Sequence, residues 1–74
     1  MTELELVALT EDLPQHGLVE GDIGTVVLVH GQGEGYEVEF TALSGETVAV
    51  LTAARAQVRA LGAGEIAHAR PLAA

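Results

Sequence analysis

The most regular stretch of the chain is Tyr36 to Ala42, Y-E-V-E-F-T-A, in which Tyr36, Val38 and Phe40 alternate strictly with Glu37, Glu39 and Thr41. A period of two puts the three apolar side chains on one face of a strand and the acids on the other. Glu3 to Thr10, E-L-E-L-V-A-L-T, carries the same signal more weakly and predicts a first strand with Leu4, Leu6 and Ala8 inward and Glu3 and Glu5 outward. Ile23 to His30, I-G-T-V-V-L-V-H, is rich in β-branched residues and too short for a helix. It is also too continuously apolar for a strand with one wet face, so both its faces are expected to be covered. Gly24 within it predicts a bulge or a close backbone approach.

The connections are equally legible. Glu11 to Asp22 mixes Pro14, Gly17 and Gly21 with polar residues, which predicts a long folded loop whose Leu13, Leu18 and Val19 tuck onto the core. Gly31 to Gly35, G-Q-G-E-G, is a hairpin tip. Leu43-Ser44-Gly45 fits the three-residue hairpin that ends in a left-handed glycine. That register sets Phe40 opposite Val48 and Val38 opposite Val50, with a fourth strand over Glu46 to Thr52. Ala53 to Gln57 has the length and composition for one helical or 3-10 turn, and Val58 to Leu61 for a short last strand. Gly62-Ala63-Gly64 closes the domain, so residues 1–62 are expected to fold and residues 63–74 to form a flexible tail. The sum is all-β: a small SH3-like barrel of about five antiparallel strands with one short helical or 3-10 turn before the last. An OB-like barrel would need longer strands and a real helix between the third and fourth.

Seventy-four residues make one small domain, and without cysteine it has no disulfide, no thiolate nucleophile and no Cys-based zinc site. With 49% apolar but only 3% aromatic residues, the core must be built from Val, Leu and Ala around Tyr36 and Phe40. The first ten residues have no basic n-region, and apolar runs such as Val26–Val29 fall far short of a membrane span. A soluble, cytoplasmic protein is the expectation. Net charge is −8, and all eleven acids but Glu65 precede position 55, whereas Arg55, Arg59 and Arg70 are the only Lys or Arg and all come later. Such a surface repels phosphate backbones and anionic lipid, so neither nucleic acid nor membrane is an expected partner. A basic protein surface fits it, as does the plain need of a Val-rich domain to stay soluble.

Candidate chemistry is sparse. His16, His30 and His68 lie in separate segments, without the convergent spacing a metal site needs. Glu37 and Glu39, with Glu46 nearby, resemble an acid–base pair, but such chemistry requires one carboxyl in a desolvated pocket, and a strand's solvent face offers none. Ser44 has no nucleophile elbow around it, and G-Q-G-E-G has neither the lysine nor the helix of a phosphate loop. No catalytic residue, metal or cofactor is therefore expected. One feature does point outward: Val26 to Val29 cannot all face one core, and Ala49 and Leu51 are expected on the face of the fourth strand away from Val48 and Val50. That surface is covered by the long loop or the tail, or else it is a contact patch for a partner or a second copy.

The motifs G-D-I-G-T-V-V (Gly21 to Val27), Y-E-V-E-F (Tyr36 to Phe40) and G-E-T-V-A-V (Gly45 to Val50) resemble those of a family of roughly 70-residue bacterial proteins described only as a domain of unknown function. Ala8 to Pro14 and Gln57 to Arg59 extend the likeness over about residues 4–61. The resemblance implies the barrel and assigns no task. More distantly, the G-D-x-G-T-V turn is similar to that of the nitrile hydratase β subunit, of small accessory chains of photosynthetic redox complexes and of the KOW motif. The basic residues of the KOW motif have no counterpart in the first 54 positions.

Together these features point to a non-catalytic protein–protein interaction module. Leu28, Ala49 and Leu51 would form the apolar contact, with Glu37, Glu39 and Glu46 as its acidic rim. Two alternatives are an acidic antitoxin or immunity-type protein that neutralises a basic toxin, and a small accessory subunit of a redox or hydratase-like complex.

Overall fold

Strict alternation decides the centre of the molecule. A computed structural model describes residues 1–72. Its strands are β1 (Leu6–Leu9), β2 (Ile23–His30), β3 (Gly35–Thr41), β4 (Thr47–Ala54) and β5 (Val58–Ala60). All neighbours are antiparallel, in one open sheet of order β4-β3-β2-β1-β5. The helical content of the described residues is two 3-10 turns, Pro14–His16 and Arg55–Gln57, the second leading into β5. The all-β architecture with a single turn before the last strand is as the sequence predicts.

Tyr36, Val38 and Phe40 of β3 are buried in the single core cluster. Every other strand contributes to it: Val7 and Leu9 from β1, Val26 from β2, Leu51 and Ala53 from β4, and Val58 from β5. The sheet must therefore wrap around one centre. Its open end is plugged by Leu13 and Leu18 of the long loop, which bridge each other across the Pro14–His16 turn. Val19, expected beside them, is exposed, because it lies just past the bridge and its own N–H is held outward by the Asp22 carboxylate.

Two strands face the other way from the expectation. In β1 the core side chains are Val7 and Leu9, whereas Leu4 and Leu6 are exposed and Ala8 is buried against the opposite side. Leu4 sits at φ 70° in a turn, so the E-L-E-L alternation belongs partly to a turn and does not set the strand's phase. The strand proper is L-V-A-L, apolar on both sides, and only its neighbours β2 and β5 decide which side is core.

In β4 the cause is a bulge. The loop is the expected three-residue one: Ala42 N–H donates to Glu46 O at 2.8 Å, and Gly45, at φ 96°, donates to Ala42 O at 2.9 Å. Thr41 faces Thr47 in that register, but the next pair is Phe40 with Ala49, and Val38 then faces Leu51. Val48 is the extra residue. A bulge adds twist and curvature where a short sheet has to coil around its core, and it moves every later side chain to the other face. The expected pairs Phe40–Val48 and Val38–Val50 are thus replaced, Leu51 is buried at 7% exposure, and Val50 lies outside at 55%.

Gly24 meets its expectation through close approach. A Cβ there would lie 2.6 Å from Val38 Cγ1, 2.8 Å from Phe40 Cε1 and 3.0 Å from Glu39 O. The bulge of β2 is further on, between Val26 and Leu28.

Past β5 the chain turns at Gly62 and comes back over the sheet. Glu65 is paired with Arg59 at 2.8 and 3.0 Å. Arg70 makes a two-point ion pair with Asp22, Nε to Oδ1 at 2.8 Å and Nη2 to Oδ2 at 2.5 Å, and also donates to Gly17 O at 3.2 Å. Ala73 and Ala74, the end of the expected flexible tail, lie outside the described residues. The Arg70 guanidinium holds the Asp22 carboxyl below its ordinary 3.8.

Two measurements check this description. Gly24→Ala is expected to lower the unfolding free energy in urea by about 1–3 kcal/mol, since the methyl group must displace packed Val38 and Phe40 atoms in a dense core. Arg70→Ala is expected to raise the Asp22 pKa toward its ordinary value in an NMR titration and to speed amide exchange in residues 65–72. Because the folded pKa is the depressed one, the stabilisation from this pair is present above pH 3.8 and disappears as pH falls through the folded value.

Candidate docking face

The outer face of β2, β3 and β4 is built from two cross-strand rows. Thr25, Glu39 and Val50 form one, and Leu28, Glu37 and Thr52 the other. The bulge between Val26 and Leu28 turns two consecutive residues outward, so Val27 (39% exposed) and Leu28 (45%) both join Val50 on this face, while Val26 stays in the core. Val29 packs against the core. The covering expected for both faces of this strand is therefore only half realised.

The acids of this face are held rather than free. Glu37 accepts a hydrogen bond from the Thr52 hydroxyl and lies 2.7 Å from His30 Nε2. These two contacts, Thr52 first, hold its carboxyl below the usual range. Glu39 accepts from Thr47 Oγ1 at 2.8 Å. Side chains tied to their neighbours lose little freedom when a partner arrives, so the acidic positions are set in advance.

Of the residues expected to make a contact surface, Leu28, Glu37 and Glu39 share this face. Glu46 stands apart just before β4, exposed. Leu51 is a correction: the Val48 bulge turns it into the core, and Ala49 packs against that core as well. Val50 and Val27 take their place outside. Both depend on bulges, and a bulge leaves no periodic trace in a run where every residue is apolar. His30, Thr47 and Thr52 also escape a reading of the sequence, because only strand pairing brings them to the glutamates.

The tail stands over part of the other apolar surface. Leu6, Ala8 and Ile23 line a cleft of about 310 Å³ whose far wall includes Glu65, Ile66, Ala67 and His68. A larger groove of about 720 Å³ runs between the tail and the hairpin side, with Leu6, Ile23, Phe40 and Leu43 on one side and Arg70 and Leu72 on the other. Neither wall reaches Val27 or Leu28. Among the described residues no three His, Asp or Glu side chains converge as a metal site would require.

The family model described as "Domain of unknown function (DUF4926)" matches residues 3–60. The chain belongs to this family. No match was found among curated proteins or solved structures. The matched span of the DUF4926 domain ends with β5 and includes the whole β2–β3–β4 face. The returning tail lies beyond it.

A titration tests the local electrostatics of this DUF4926 domain. His30→Ala is expected to raise the Glu37 pKa toward its ordinary 4.5, and Thr52→Val to raise it further, as read by carboxyl NMR shifts. Unchanged values in both variants would contradict the geometry.

Proposed function

We propose that this DUF4926 domain is a non-catalytic protein-binding module that docks through the outer face of β2, β3 and β4. The observation that carries the reading is the grouping of Val27, Leu28 and Val50, all more than a third exposed, beside the fixed carboxylates Glu37 and Glu39. Burying three such side chains is favourable by roughly 25 cal/mol per Å² of apolar surface, and the acids, which stand on β3 between Leu28 and Val50, favour a partner that sets Lys or Arg within its own apolar patch. With a net charge of −8, encounter with a basic surface is accelerated and encounter with polyanions is suppressed. No helix of the described residues is long and apolar enough to cross a membrane.

The test is pairwise titration calorimetry of the domain with the products of the genes flanking its own, in about 50 mM and about 500 mM salt. One product is expected to bind, more weakly at high salt, and Leu28→Asp is expected to weaken that binding about tenfold or more while the folded NMR spectrum is kept. Absence of binding at both salts, or binding indifferent to Leu28→Asp, would overturn the proposal.

A further inference from the structure

The sheet has two edges, and they are treated very differently. β5 is three residues long, carries Arg59, and runs at once into the Gly62–Glu65 turn whose glutamate pairs with that arginine. β4 is eight residues long, T-V-A-V-L-T-A-A, with no charge, no proline and no glycine, and among the described residues it pairs only with β3. The devices that normally blunt an edge are missing apart from the Val48 bulge, which leaves Ala49 to Ala54 regular.

The direction of the free backbone groups is fixed by one hydrogen bond. Ala54 turns its N–H away from β3 to Gln57 Oε1 at 2.8 Å. A ladder alternates residue by residue, so Val50 and Thr52 also turn their N–H and C=O groups outward, and these have no cap. The charges at the ends of the strand are complementary. Glu46 stands just before it and Arg55 just after it, both exposed. Arg59 and Arg70 are ion-paired, but among the described residues neither Arg55 nor the Glu46 carboxylate has an ion-pair or hydrogen-bonding partner.

We infer that β4 pairs antiparallel with β4 of a second copy of this chain, joining two sheets into one across a two-fold axis at Leu51. This register is the one that uses the free groups: Val50 and Thr52 of each copy exchange N–H···O=C bonds with Thr52 and Val50 of the other. Opposed residues then share a face, as a ladder requires, with Ala49 against Ala53 on the core side. Beyond this regular stretch Arg55 opens the 3-10 turn at one end of the strand and Glu46 precedes the Val48 bulge at the other, so the antiparallel two-fold brings the Arg55 end of each copy to the Glu46 end of the second. A two-fold axis makes that contact twice. A chain of net charge −8 thus presents to its copy a strand that is neutral along its length and oppositely charged at its ends. The edge uses the backbone groups of Val50 and Thr52 where the docking face uses side chains, and the inference does not rest on that reading.

Sedimentation equilibrium and concentration-dependent amide exchange test it on the full chain. The expected result is a concentration-dependent species of twice the 7.6 kDa chain mass, with Val50 and Thr52 amides gaining protection as it forms. Arg55→Glu is expected to weaken the dimer about tenfold, because both symmetric contacts become repulsive. Glu46→Arg should weaken it as well, although it lowers the net charge, and the double exchange Glu46→Arg/Arg55→Glu should restore it. Both positions are exposed, so the fold is not at stake. A monomer up to about 1 mM, protection elsewhere than in β4, or a dimer that tracks net charge instead of the exchange would overturn the inference.

Discussion

The structure depends on a single packed contact, the apolar side of β3 against its two neighbours. Tyr36, Val38 and Phe40 are all buried in a core that has no disulfide and only two aromatic rings. In a domain this small, the sheet has to bend around those three side chains, since a flat sheet would leave them half wet. Gly24 permits the bend by letting β2 lie directly on Val38 and Phe40, where any side chain would collide. The bulges in β2 and β4 supply the remaining curvature.

Those bulges also create the exterior. Each inserts one residue and shifts the phase of the rest of its strand, so the apolar excess of two Val-rich strands goes to one outer face instead of being shared. Val27 and Leu28 appear there because β2 bulges, and Val50 because β4 does. The glutamates of β3 keep the outward positions that alternation assigned them. Core packing and the candidate docking face are therefore two results of one geometric requirement, and a change that relieved either bulge would alter both.

The charge pattern divides along the same lines. Acids dominate the first 54 residues, while two of the three arginines pair with Asp22 and Glu65, holding the returning segment against the sheet. Arg55 is the exception, placed at the end of an uncharged edge whose other end carries Glu46. A surface so rich in acids would be expected to keep copies apart; the open edge carries no charge along its length and opposite signs at its two ends.

The sequence alone determined the strands, the loop that plugs the core, the three-residue hairpin and the inward side of β3. Each is written in local terms: a period of two, a glycine at positive φ, a run of turn residues. Tertiary structure decided the faces of β1 and β4, the partners of Glu37 and Glu39, and the return of Arg70 to Asp22. The physical reason is that a strand apolar on both sides carries no phase of its own. Its orientation is set by neighbours distant in the chain and by where curvature demands an extra residue, and neither is recorded in the local pattern.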